Sequence, residues 1–122
     1  MNIAQAAAQS GLSVDTIRFY EKSAMLPKLA RDKRGWRSFD PPSIEWLVTL
    51  ERLRATGMPL KDVKRFAVLA NSATANSSAA ATERLALLER HQARLKQRRA
   101  ALDACEKFLT YKINIYRKQV KS

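Results

Sequence analysis

Apolar positions recur at helical spacing in four short stretches of the chain and then in one long one. Ile3, Ala6 and Ala7 mark the first. Asn2 and Gln5 stand at capping-box spacing at its start, and Gly11 suits a left-handed residue at its end. Ser13 can cap a second helix over 14–24, where Ile17 and Ala24 fall on the side able to pack on the first. The join is short, so the pair reads as a helix-turn-helix. In LPKLARDKRGWRSFD, residues 26–40, the period changes. Pro27 stops the helix, Gly35 marks a turn, and Trp36 and Ser38 alternate with Arg37 and Phe39, which predicts a hairpin wing. Asp40-Pro41 starts a third helix through Ile44, Leu47, Leu50 and Leu53 to about Thr56, closed by Gly57. A fourth covers 60–70, with Met58 and Val63 placed as a hydrophobic staple.

NSATANSSAAAT, residues 71–82, is a break of small and polar residues and reads as a linker. From Glu83 onward there is no Gly or Pro, and Leu88, Leu95, Leu102, Leu109 and Tyr116 recur every seven residues. The second seam row, Leu85, Gln92, Arg99, Glu106 and Ile113, is apolar at its ends and polar in its middle. The chain therefore divides into a winged helix-turn-helix domain (1–70), a linker (71–82) and a long self-associating helix (83–122). The fold class is mainly α.

Charge adds a partner. Lys and Arg number 23 against 11 Asp and Glu, a net charge of +12, which favours a polyanion. A membrane fits poorly, because no run approaches 18 apolar residues and no basic-then-apolar leader opens the chain. A cytoplasmic protein is expected, and the lone Cys105 suits a reducing compartment. The excess is not confined to one part: residues 1–70 hold 12 basic and 7 acidic residues, and 71–122 hold 11 and 4. Charge alone thus does not locate the binding surface. Enzyme chemistry is disfavoured, since no Ser/His/Asp set, zinc spacing or glycine-rich phosphate loop occurs and His91 is the one histidine. No cofactor is expected.

The second helix carries the candidate chemistry. On a helical wheel Asp15, Arg18, Phe19 and Lys22 share one face, Ile17, Glu21 and Ala24 lie roughly opposite, and Thr16 and Tyr20 flank them. A helix in a major groove needs such side chains: Arg bonds guanine bidentately, Asp accepts from cytosine, and aromatics pack on sugar or a thymine methyl. Tyr20, Arg34 and Arg37 are placed to hold phosphates and set register. The bland alternative is a solvated face with Phe19 partly tucked in. The adjacent basic hairpin tips the balance, because a helix-turn-helix followed by a wing is a recurrent DNA-binding layout.

Three segments carry a resemblance: IAQAAAQSGLSVDTIRFYEKSAMLP, RGWRSFD and SIEWLVTLERLRATGMPLKDV, in that order and with close spacing. Together they resemble the N-terminal domain of the MerR family of bacterial transcription regulators, over more than half the chain. The resemblance implies a winged helix-turn-helix, two further helices and a homodimer through an antiparallel pair of long C-terminal helices. It implies double-stranded DNA as partner, with a near-palindromic operator in a promoter whose two polymerase elements lie too far apart. Distortion of that DNA lets RNA polymerase start. Family contacts to DNA fall on Asp15, Thr16, Arg18 and Tyr20, on Trp36 and Arg37 of the wing, and on Lys61. The chain departs from the family at three places: Ala24 where glycine is usual, Pro59 where a serine cap is usual, and Trp36 where tyrosine is commoner. An architectural or excisionase-like DNA bender is the main rival, and a coiled-coil interaction module is a third reading.

An antiparallel register that matches leucines sets Leu95 against Leu102 of the partner subunit and Leu88 against Leu109 of the partner subunit. His91 then approaches Cys105 of the partner subunit, so a two-ligand metal site or tuned thiol is conceivable. The commoner outcome is a buried cysteine acting as a small apolar residue and a surface histidine. Within one chain they stand 14 residues apart, about 21 Å along a helix, too far to share a metal. Arg98 and Arg99 would cluster near the dyad, either splayed outward or holding an anion. Tyr111, Ile115 and Tyr116 are expected to pack on the partner's DNA-binding domain, with an aromatic-lined pocket there as the alternative.

Overall fold

A computed structural model describes residues 1–72 and 74–121. The elements, in order, are α1 (Ile3–Ser10), α2 (Val14–Lys22), β1 (Ala30–Arg31), β2 (Arg37–Ser38), α3 (Pro41–Ala55), α4 (Leu60–Asn71) and α5 (Ser78–Lys121). The chain divides into two compact units, residues 1–87 and 88–122.

Local chemistry fixes the ends of the short helices. Asn2 and Gln5 form a reciprocal capping box at α1, whose last turn closes on the left-handed Gly11. The Ser13 hydroxyl accepts from the Thr16 amide at α2, and Asp40 accepts from the Ser43 amide at α3. α4 begins at Pro59 with no side-chain cap, as the missing serine implied. Its start rests on the expected staple instead: Met58 and Val63 are both fully buried.

α2 and α3 end in the same motif. The amides two residues past each cap, Met25 and Met58, bond to the carbonyls of Tyr20 and Leu53. The amides of Ala24 and Gly57 bond to those of Glu21 and Arg54. The motif needs a left-handed residue. Gly57 supplies it at φ 91° without strain, whereas Ala24 adopts φ 58° despite its Cβ. The strain has a structural consequence. The turn buries Met25 and leaves its carbonyl to accept from the Trp46 indole at 2.8 Å and from the Asn71 side-chain amide at 3.0 Å. One carbonyl thus ties the end of α2 to α3 and α4. Ala24 itself is exposed and lies beyond the helix, so it does not pack on α1 as its wheel position suggested. The Ala24→Gly variant should therefore be more stable by roughly 0.5–1 kcal/mol, after allowing for glycine's extra freedom in the unfolded chain. A thermal melt should show a rise of about 3–5 °C.

The core of the first unit gathers Ile17 and Tyr20 from α2, Leu47 and Leu50 from α3, and Val63 and Ala67 from α4 around Ala6. Phe39, just after the hairpin, joins it, and the Trp46 and Phe66 rings stack at 5.8 Å beside it. Met1 and Phe39 exchange two backbone hydrogen bonds, which hold the chain start against the exit of the wing.

α5 begins at Ser78, inside the segment expected as linker and five residues before Glu83. Ser77 accepts from the Ala80 amide at its start, and Arg65 pairs with Glu83 to tie α4 to its early turns. In the single chain the heptad leucines are largely uncovered. Leu88, Leu102, Leu109 and Tyr116 are exposed and Leu95 is half-buried, while Leu87, off the heptad, is buried. Among the described residues no helix is long and apolar enough to cross a membrane.

Candidate nucleic-acid interface

The wing is built from its turn outward. Asp32 starts a four-residue turn in which the Gly35 amide donates to the Asp32 carbonyl at 2.9 Å. The Asp32 carboxylate accepts from the amides of Arg34 at 2.9 Å and Trp36 at 3.0 Å, and its own amide donates to the Trp36 carbonyl at 2.8 Å. Gly35 sits at φ 80°, which closes the loop and lets β1 and β2 pair antiparallel, Ala30 with Ser38 and Arg31 with Arg37. The Arg31 guanidinium donates across the turn to the Gly35 carbonyl at 3.1 Å.

This scaffold displays an exposed aromatic and a cation. Trp36 is 59% exposed, and the Arg34 guanidinium lies over its ring at 4.4 Å. The Trp36 amide, joined by the amide and charge of Arg34, holds the Asp32 carboxyl below the usual carboxylate range. Because the folded-state value is lowered, Asp32 stabilises the wing above the ordinary aspartate range. That contribution is lost as pH falls through the lowered value. The amide resonances of Arg34 and Trp36 should titrate together with a midpoint below about 3.9, the unperturbed value. In Asp32→Asn that titration should vanish.

α2 presents its expected face. Asp15 and Arg18 are exposed and stand 4.0 Å apart as a loose surface pair. Phe19 is 46% exposed and not tucked away. Thr16 is half-buried, with its hydroxyl 2.8 Å from that of Ser13. Tyr20 differs from the wheel position that flanked the outer face, because its ring is buried in the core. Burial raises the pKa of its phenol, partly offset by Arg54. No hydrogen bond to its hydroxyl is present among the described residues. Arg37 is half-buried and paired with Glu21 of α2. Lys61, exposed in the first turn of α4, lines a shallow depression with Lys64, Arg65 and Val68.

Arg18 and the wing meet in a cleft of about 400 Å³, lined by Arg18, Arg31, Trp36, Arg37 and the start of α1 at Asn2 and Ile3. Three arginines from three elements, α2, β1 and β2, converge there, as a phosphate backbone requires. Sequence reading missed Asp32, Arg31 and Glu21. The Asp-x-x-Gly spacing of Asp32 to Gly35 is a turn signature that could have found the first. Nothing in the local pattern signals the other two.

Elsewhere, His91 is buried, where a surface histidine was expected, and Cys105 is exposed in the single chain. The Arg94 guanidinium lies 3.5 Å from Nδ1 of His91. Among the described residues no group of three or more His, Cys, Asp or Glu is placed to hold a metal ion.

A helix-turn-helix with an arginine on its second helix and a basic wing beside it defines a DNA-binding regulator. Residues 1–67 match the family described as MerR HTH family regulatory protein, and residues 44–110 match the one described as MerR, DNA binding. The chain belongs to the MerR family of DNA-binding transcriptional regulators. It is 39% identical to an HTH-type transcriptional regulator of Haemophilus influenzae over 94% of this chain and 82% of that protein. It resembles the crystal structure of HiNmlR, a MerR family regulator lacking the sensor domain, bound to promoter DNA. That similarity has a TM-score of 0.80 and 38% identity over 96% of this chain and 86% of that one. A MerR family regulator from Listeria monocytogenes superposes with a TM-score of 0.81 at 27% identity, over 95% and 85% of the two chains. The family is not enzymatic, in keeping with the absence of a catalytic set in the sequence.

Proposed function

We propose that two copies of the chain, joined through the 88–121 part of α5, bind a near-palindromic operator in a bacterial promoter and regulate transcription by distorting it. In each copy α2 enters a major groove, with Asp15, Thr16 and Arg18 at base edges. Trp36, Arg34 and Arg37 of the wing, Lys61 of α4 and the Tyr20 hydroxyl hold phosphates. The apolar row Leu88, Leu95, Leu102, Leu109 and Tyr116 supplies the dimer seam. RNA polymerase is the second partner, acting on the same promoter in the cytoplasm.

The observation that carries this reading is the convergence of Arg18 from α2 with Arg31, Trp36 and Arg37 from the wing on one cleft. A net charge of +12 supports a duplex partner. The resemblance to a regulator solved on promoter DNA supports a promoter as its location. The test begins with duplexes selected by the full chain from a randomised library and mapped to the genome. Placed at different positions in a longer fragment, the selected site should give position-dependent gel mobility of the complex, which reports bending. Mobility independent of position would contradict distortion. Genomic matches outside promoters would favour the architectural rival.

A further inference from the structure

Glu21 stands one helical turn from Arg18 on α2, and its carboxylate takes Nε of Arg37 on β2. The two side chains are 25% and 32% exposed, so the pair is partly shielded from water and salt. It bridges two elements that no backbone hydrogen bond joins directly among the described residues. It also engages only one corner of the guanidinium. Among the described residues neither terminal nitrogen of Arg37 has a protein partner. Arg37 lines the arginine cleft, whereas Glu21 does not.

We infer that Glu21 is a positioning residue for DNA recognition: it anchors Arg37 by Nε, cancels its charge, and leaves the terminal nitrogens to meet a phosphate at one fixed place. The inference rests on reading the cleft as the DNA surface. A guanidinium is a rigid fork of five N–H donors, so holding Nε sets the direction of the remaining four. A duplex whose phosphate falls at that point gains charge-assisted hydrogen bonds without first ordering a long side chain. A duplex whose phosphate lies elsewhere gains little, because the neutralised pair releases few counterions. An unpaired arginine would attract any phosphate within reach. Glu21 thus gives up general affinity for discrimination. Distorted operator DNA, with its displaced phosphates, is the form such a fixed contact favours.

The experiment measures binding of the full chain to the selected duplex and to a scrambled duplex of equal length across a salt series. Glu21→Gln should bind the scrambled duplex at least about fivefold more tightly at about 0.15 M salt, with a salt slope steeper by about 1.8, the effect of one additional phosphate contact in each chain of the dimer. The preference for the selected duplex should fall by about fivefold or more. In an Arg37→Gln background the same substitution should change neither quantity. Glu21→Asp, which keeps the charge and withdraws the carboxylate, should lose affinity for the selected duplex with an unchanged slope. Melting midpoints should stay near that of the parent, since a partly exposed pair contributes little to stability.

An unchanged preference and slope in Glu21→Gln would overturn the inference. So would the same changes in the Arg37→Gln background, which would make Glu21 a general negative charge. A parallel loss of affinity and melting temperature would make it a structural residue and overturn the inference equally. A parent chain with no preference between the two duplexes would overturn the reading of the cleft itself.

Discussion

Replacing Arg18 and Arg37 together with glutamine should lower affinity for the selected operator by at least about 100-fold while leaving the fold intact. Arg18 stands on the exposed face of α2, its partner Asp15 is 4.0 Å away and almost fully solvated, and among the described residues nothing else holds it. It is therefore available to a base edge, and a bidentate contact to guanine discriminates by about 1–3 kcal/mol. Arg37 contributes from the wing as a phosphate contact that sets register. Each chain has both residues, so a bound dimer would lose four contacts. Neither residue belongs to the buried core, so the melting midpoint should move little. Binding curves on the selected duplex read the effect. Affinity retained within about threefold would mean that the surface has been misplaced.

Leu95→Asp with Leu102→Asp should convert the protein to monomers and remove operator binding with it. Much of the apolar surface on the 88–121 part of α5 is uncovered in the single chain: Leu102 is 69% exposed, Tyr116 61%, Phe108 56% and Leu109 51%. An isolated helix of this composition gains little from its own hydrogen bonds and needs an apolar face buried against a partner. Symmetry repeats each substitution, so four carboxylates would enter the seam, each one turn from Arg98 and Arg99. At about 3 kcal/mol or more for each large apolar side chain lost, the dimer dissociation constant should rise by well over about 100-fold. Sedimentation should show the monomer, and circular dichroism should show a loss of helix. A dimer that survived both substitutions would place the interface elsewhere.

Boundaries and caps were legible in the sequence because they depend on neighbours. Asn2 with Gln5, Ser13, and Asp40 with Pro41 each act within three residues, and the structure uses all of them. The left-handed strain at Ala24 was likewise readable from its place at the end of a helix. What failed was position in three dimensions. A helical wheel put Tyr20 on a flank, but the core formed with α3 and α4 covers its ring. Ala24 left the wheel altogether because the helix ends at Lys22. The start of α5 was set too late because a Ser/Ala-rich stretch reads as a break until tertiary contacts, here Arg65 with Glu83, hold the turns beside it. Glu21 looked like an ordinary polar position, since its partner lies 16 residues away on a strand. The arginine cleft was invisible for the same reason: its residues come from three separate segments of the chain.

The mass of the complex formed by the full chain on its selected duplex, measured together with the footprint it leaves, is the most direct check. Two chains per duplex should protect two symmetry-related half-sites, with altered reactivity in the DNA between them. One chain on one half-site, or protection without any symmetry, would contradict a dimer that grips DNA through α2 and the wing.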